Sequence, residues 1–201
     1  MIGKALLLVV GLAFAIGAPA QAKDKPAPFK IDIAHTAVTF SVNHFGFSTA
    51  YGRFKSFELA VQFDPNKPEK TTVDMTIDAA SIDTGWPARD DDLRGKNFFN
   101  VAQFPKIIFK STKVERTGID TAKLTGDLTF LGVTKPLNLD LKLAGRGPHP
   151  FRSDVQVVAF NGTGVLKRSE FGMTALTPGI GDDVTLTIST ELNNAPPKPA
   201  K

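Results

Sequence analysis

Leu137-Asn138-Leu139-Asp140-Leu141-Lys142-Leu143 places an apolar side chain at every odd position and a polar one at every even position. Successive side chains of a β-strand point to opposite faces, so the leucines share one face while Asn138, Asp140 and Lys142 take the other. The same period of two extends outward in both directions. Upstream, Leu124 and Leu128 alternate with Thr125 and Thr129, and Val73, Met75, Ile77 and Ala79 are opposed by Asp74, Thr76 and Asp78. Before the turn signal Asp64-Pro65-Asn66, Phe57, Leu59, Val61 and Phe63 stand against Glu58 and Gln62; earlier still, Val38, Phe40, Val42 and His44 stand against Thr39, Ser41 and Asn43. Downstream, Val184, Leu186 and Ile188 alternate with Thr185, Thr187 and Ser189. Less regular strands are expected near Ile107 to Val114 and Asp154 to Val165, which brings the count to about eight. The fold class is therefore all-β. Eight antiparallel strands joined by short turns suit a closed β-barrel, whose interior holds side chains or one small ligand. Phe54 falls out of step with Phe57, so a bulge is expected between them.

One stretch breaks the period. Trp86 to Asn100 reads WPARDDDLRGKNFFN, with Pro87 early, acids at Asp90 to Asp92 and Leu93 at helical rather than strand spacing. It is expected to form one short helix and loop near one end of the barrel, as a plug or a lid over the mouth. In that position Trp86, Leu93, Phe98 and Phe99 face the interior. Together with the strand faces they define an expected apolar pocket. Its wall comprises Val38, Phe40, Val42, Phe57, Leu59 and Val61 from the first half of the chain, then Met75, Ile77, Leu139, Leu141, Leu186 and Ile188. The chain has 16 phenylalanines but one tryptophan and one tyrosine, a composition that suits an apolar cavity as well as a packed core.

The ends have their own signatures. Lys4, the apolar stretch Ala5 to Ile16 and the small-x-small site Ala20-Gln21-Ala22 mark residues 1–22 as a signal peptide, cleaved after Ala22 on Sec export to the periplasm. The apolar stretch is about twelve residues, short of the roughly 20 that a spanning helix needs. Residues 23–28 and 194–201 are rich in Pro, Lys and Ala and read as a flexible lead and a disordered tail around one domain, 29–193. A chain of that size can bury about 70% of its unfolded surface without covalent staples. There is no cysteine, which removes thiol catalysis and thiolate metal sites. The formal charge of +4 is small and scattered, with none of the concentrated basic face that nucleic-acid binding requires.

Candidate chemistry is sparse. His35, His44 and His149 sit in separate segments, none paired at metal-ligand spacing, and the run Asp90-Asp91-Asp92 is flanked by Arg89 and Arg94, which argues for charge pairing at a helix; no metal site is expected. No serine lies in a Gly-x-Ser-x-Gly turn and no base can be placed beside a nucleophile, so the reading is a binding protein with no required cofactor rather than an enzyme. His44 shares a face with Val38, Phe40 and Val42, where a polar group needs a partner: a structural hydrogen bond or a ligand's polar end. Tyr51 admits the same two readings. Arg89, Asp90 and Arg94 read either as a brace fixing the helix to the rim, which is favoured, or as a head-group site for an anion such as a phosphate.

Several of these segments carry a resemblance. HTAVTFSVNHFGFSTAYGRFKSF, His35 to Phe57, resembles the histidine-containing first hairpin and Tyr-Gly-x-Phe turn of the YceI-like proteins. SIDTGWPARDDDLRGKNFFN, Ser81 to Asn100, is similar to that family's Asp-Thr, Arg-Asp and Leu-Arg helix, followed by FPKIIFKST from Phe104 to Thr112. GDLTFLGVTKPLNLDLKL, Gly126 to Leu143, resembles its Gly-Val-Thr-Lys-Pro hairpin, and LKRSEFGM, Leu166 to Met173, its Arg-x-x-Phe-Gly stretch. The resemblance implies a lipocalin-like barrel, periplasmic export and binding of a polyisoprenoid or similar long-chain lipid inside the barrel, with a quinone-like molecule as another candidate. It places Arg89, Asp90, Leu93 and Arg94 on the helix motif and His44 on the hairpin motif. Where many relatives carry a histidine just before that leucine, this chain has Asp92, which disfavours an anionic head group. A hydrolase acting on a lipid ester or pyrophosphate, and an accessory module of a membrane redox system, remain the alternatives. The pattern also leaves open a transient contact with a membrane or membrane protein, and a homodimer formed along an exposed strand.

Overall fold

The computed structural model describes residues 28–195. The expected signal peptide lies outside the described residues, as do the expected lead up to residue 27 and the expected tail beyond 195. Ten strands form one antiparallel sheet: β1 (Lys30–His44), β2 (Ser48–Phe54), β3 (Phe57–Gln62), β4 (Thr72–Asp78), β5 (Ile82–Asp83), β6 (Lys106–Arg116), β7 (Thr121–Phe130), β8 (Val133–His149), β9 (Arg152–Lys167) and β10 (Ile180–Asn193). The helix α1 (Pro87–Arg94) stands between β5 and β6, within the stretch expected to leave the strand pattern. The order across the sheet is β3-β4-β6-β7-β8-β9-β10-β1-β2-β5. From β7 to β10 each strand pairs with the one before it, and β10 returns to β1, so the sheet curls into a barrel-like roll.

The sheet does not close into an unbroken ring, which corrects the expectation of a closed barrel. Its edges are β3 and β5, and each continues along the chain from the strand that flanks the opposite edge: β2 runs into β3 across Lys55 and Ser56, and β4 into β5 across Ala79–Ser81. Counting each interrupted pair once recovers the expected eight strands. The cause of the interruption is local hydrogen bonding. The Asp78 carboxylate accepts from Ala80 N at 3.1 Å and the Ser81 hydroxyl donates to Asp78 O at 2.7 Å, winding Ala79–Ser81 into a 3-10 turn. The turn then takes over the facing chain, with Lys55 N donating to Ser81 O and Ser56 N to Ser81 Oγ. This is the irregularity anticipated between Phe54 and Phe57, and it lets both rings pack on the core.

The period of two holds along the walls. Leu124, Leu128, Leu137 and Leu139 are buried, as expected from their alternation with polar residues. The β7–β8 turn is Leu131-Gly132, with φ of 50° and 75°, the both-positive pattern that matches strand twist in tight hairpins. Leu131 offsets the strain of that conformation by packing against the core.

β1 carries a bulge of its own. Its register against β10 jumps from Asp32↔Glu191 to Ala37↔Ser189, setting Asp32, His35 and Glu191 side by side on the outer wall. His35 Nδ1 lies 3.0 Å from Asp32 Oδ2. That hydrogen bond is the main reason the Asp32 carboxyl titrates below its ordinary value and the His35 imidazole above its own. A raised histidine stabilises the fold below its unfolded value near 6.5 and loses that effect as pH rises through the folded value; a lowered aspartate does so above about 3.8 and loses it as pH falls. His35→Ala is therefore expected to lower the urea midpoint most between about pH 4 and about pH 6.5, with the deficit shrinking toward about pH 9. An equal deficit at about pH 5 and about pH 9 would show that the pair is not coupled to folding.

Candidate functional site

The inner faces of the roll meet through aromatic groups at the two ends. Between them lies a cavity of about 1100 Å³, walled by Val38, Phe40 and Val42 of β1, Leu59 and Val61 of β3, Met75 and Ile77 of β4, Leu139 and Leu141 of β8, and Leu186 and Ile188 of β10. That is at the upper limit of the roughly 300–1,000 Å³ of pockets for small molecules, so it suits a long ligand better than a compact one. Gly162, paired with Leu141, lines the cavity without a side chain of its own, and a Cβ there would stand 3.0 Å from Leu141 Cδ2. At Gly52, by contrast, a Cβ would collide with the Phe40 ring, which lies across that bare stretch of β2.

Rings concentrate at the two ends. Phe40, Phe54, Phe99, Phe130 and Phe171 form a chain of neighbours with centroid separations of 5.7, 5.8, 5.5 and 5.6 Å. Phe99, from the loop after α1, is its middle link, and with Leu93 and Phe98 it lines the cavity from the lid, as expected. At the other end Phe29, Phe63 and Phe160 meet edge to face at 5.7 and 5.5 Å. Around that end the lining turns polar through Glu69, Thr71, Arg116, Asp120, Arg146 and Gln156, which the sequence pattern does not reveal because they lie on turns and strand ends.

Among the lid-end polar residues, His44, Tyr51, Arg89 and Asp92 line the opening. His44 is exposed there rather than buried, which removes its need for a protein partner; its ring stacks edge-on against Phe45 at 4.9 Å. Arg89 reaches Thr84, with Nε donating to Oγ1 and Nη2 to the carbonyl, both at 2.8 Å. Four expected site residues lie off the cavity. Asp90 is buried, accepting from Thr84 N at 2.8 Å and Thr84 Oγ1 at 2.5 Å. Arg94 donates to Ala80 O, Ile82 O and Asp91 Oδ1. Both brace α1, the favoured of the two readings of these residues. Trp86 is 64% exposed because it is the N-cap residue of α1 and its side chain leaves the fold there. Phe57 packs into the wall beside the ladder break rather than facing the bore.

A YceI-like domain model matches residues 29–192. The chain belongs to the YceI-like family. Protein YceI of Salmonella arizonae is 39% identical over 167 residues, covering 82% of this chain and 86% of that protein. Among solved structures, Burkholderia cenocepacia BcnA is similar with a TM-score of 0.72 at 27% identity, covering 81% of this chain and 99% of the other. The Campylobacter jejuni YceI protein follows at 0.70 and 31%, covering 77% and 90%. A polyisoprenoid binding domain from Saccharophagus degradans shares the fold at 0.61 and 15%, covering 85% and 99%.

The YceI-like stretch Arg168-Ser169-Glu170-Phe171-Gly172, read in the sequence only as a signature, supplies a structural centre that alternation does not disclose. Arg168 is 3% exposed and lines the cavity. Its Nε donates to Gly181 O, Nη1 to Met173 O, and Nη2 to Ala175 O, Ile180 O and Thr177 Oγ1, all between 2.7 and 3.0 Å. Burial pulls its titration down from the ordinary arginine value, yet arginine stays charged in proteins. The guanidinium thus fastens the loop 172–181 to β10, while Phe171 ends the aromatic chain. Arg168→Met is expected to cost about 3–5 kcal/mol in urea unfolding, since several buried carbonyls lose their donor. Arg168→Lys should recover little, because an ammonium lacks the planar fork. A loss below about 1 kcal/mol would refute this role.

Proposed function

We propose that this YceI-like chain is a periplasmic binding protein that carries or sequesters a long-chain isoprenoid or similar amphiphilic lipid within the barrel, without covalent chemistry. The observation that carries the reading is the apolar bore of about 1100 Å³ between the two aromatic ends. An isoprene unit has five carbons, and at about 0.8 kcal/mol per buried methylene each unit contributes roughly 3–4 kcal/mol before ordering costs. Three units approach the roughly −8 to −12 kcal/mol of micromolar to nanomolar binding. The tail therefore supplies affinity, and the rim chooses the head group. Arg89 and Asp92 both face the lid-end opening, a mixed pair that suits a neutral or hydroxylated head, such as a quinone-type ring, at least as well as a pyrophosphate.

The family membership and the fold shared with a polyisoprenoid binding domain support this reading. The leader-like residues 1–22 support the periplasm. The hydrolase alternative has less behind it: His44 contacts a phenylalanine ring and, among the described residues, donates no hydrogen bond to a carboxylate.

Native mass spectrometry of gently purified protein from an isoprenoid-producing host is expected to show a lipid adduct, released unchanged on solvent extraction. Leu59→Arg places a charge in the bore and should abolish the adduct. Gly162→Leu, which adds bulk on the cavity wall and pushes Leu141 aside without adding a charge, should shift the bound population toward shorter tails. An empty wild-type barrel that also takes up no added prenyl lipid would sink the proposal, and turnover of a lipid ester lost in His44→Ala would replace it with catalysis.

A further inference from the structure

The lid end of the barrel exposes apolar side chains in a ring. Phe45 and Phe47 stand on the β1–β2 turn, Tyr51 on β2, Trp86 at the start of α1, and Leu176 on the loop held by Arg168; all are exposed, Phe47 to 91%. Phe45, Tyr51 and Leu176 also line the cavity, so the apolar surface runs without a break from the bore onto the outside. Trp86 follows shortly after Asp83, which pairs with Arg53, two residues from Tyr51.

These segments lack formal charge. Residues 44–52 (HFGFSTAYG), 84–88 (TGWPA) and 171–181 (FGMTALTPGIG) contain no Asp, Glu, Lys or Arg, in a chain where such residues make up 22%. The ring is also held in an unfavourable backbone state. Phe45 has φ 53° and Leu176 φ 58°, the left-handed region that bulky side chains avoid. Phe47 N donates to His44 O to close the turn, Phe45 N donates to Gly179 O at 2.6 Å, and the Phe45 ring lies against Gly179 where a Cβ would collide. The Phe45–Gly179 hydrogen bond ties the two loops together while Phe47 and Leu176 stay exposed and Phe45 half-exposed.

We infer that this ring docks the mouth of the barrel on a lipid bilayer. The inference rests on the lipid-carrier reading, and it adds the place where the lipid enters and leaves. An exposed apolar patch of this kind marks a contact surface. The occupant follows from chemistry: the ring itself carries no formal charge and the flanking α1 charges are mixed in sign, Arg89 with Asp91 and Asp92, so no single-sign patch invites a charged protein, whereas Trp, Tyr and Phe settle at the interface of a bilayer. Arg89 shares the opening with Asp92, a balanced pair that suits the zwitterionic head groups of phosphatidylcholine. With the mouth seated, a tail passes from bilayer to bore without crossing water.

The test uses the full mature protein and vesicles of phosphatidylcholine, alone or mixed with phosphatidylglycerol. Trp86 is the only tryptophan, so its emission reports this face directly. Emission is expected to shift to the blue on vesicle addition, to be quenched by brominated acyl chains, and to track co-sedimentation. Phe47→Ser should weaken partitioning roughly tenfold or more. Phe47 does not line the cavity, so uptake of a prenyl lipid from solution by this variant should match wild type, which keeps a failure of docking distinct from a failure of lipid binding. Phe151, 92% exposed at the tip of the β8–β9 hairpin on the opposite end, is the control, and Phe151→Ser should partition like wild type. The inference is overturned if vesicles leave Trp86 emission unchanged, or if Phe151→Ser weakens partitioning as much as Phe47→Ser. It is equally overturned if the blue shift appears without vesicles as protein concentration rises, which would make a second copy the occupant.

Discussion

The wall of this barrel has to stand without a filled interior. In an ordinary core, side chains from facing layers interdigitate at near-crystalline density. Here a bore of about 1100 Å³ separates the facing walls, so much of that cross-layer packing is forgone. What remains is lateral: each apolar side chain packs on its neighbours along the same wall, as cross-strand pairs do, and the backbone ladders satisfy the peptide groups. The alternation LNLDLKL is the sequence form of that constraint. A single shift of register would turn the leucines to water and Asn138, Asp140 and Lys142 to the bore.

With little packing across the middle, the ends hold the walls at their separation. Two aromatic groups span them, one from Phe40 to Phe171 and one from Phe29 to Phe160. Two buried charged residues, Asp90 and Arg168, also stand at the lid end, each held by directional partners. Such groups are costly to bury unpaired, and the partners they have fix the geometry of the loops they bind. The bore itself can then stay apolar, because the polar anchoring sits beside it rather than across it.

The sequence discloses this design unevenly, and the reason is periodicity. Wall residues such as Leu139, Leu141, Leu186 and Ile188 repeat every second position, so their common face is legible from the alternation alone. The bulge between Phe54 and Phe57 is visible as a slip in the same repeat, although what it does to Phe57 is not, since leaving the bore depends on a 3-10 turn in a different segment. Trp86 looks like lid lining because helix and loop residues carry no face label until the helix is docked. Arg168 is hidden for a different reason: its partners are chiefly main-chain carbonyls of residues 173–181, which have no side-chain signature. The Arg89, Asp90 and Arg94 cluster is legible as two alternatives, and the structure divides it, with Asp90 and Arg94 turned to bracing while Arg89 keeps a place on the opening.

The break in the ladder and the mounting of the lid are one event. α1 fully buries a single side chain, Asp90, and only Leu93 adds apolar packing against the core, so little apolar contact holds it in place. Its attachment is instead polar, and polar attachment needs free acceptors. An unbroken strand from Thr72 to Asp83 would have spent its carbonyls on the ladder. The 3-10 turn at Ala79–Ser81 interrupts that strand, and the Ala80 and Ile82 carbonyls there accept from Arg94 at 2.9 and 3.1 Å. Thr84, just past the remnant strand β5, offers its N–H and hydroxyl to Asp90 in the same way. The roll therefore gives up ladder closure over a few residues, and at that point it gains a lid whose anchors are polar while Leu93, Phe98 and Phe99 are left to face the bore.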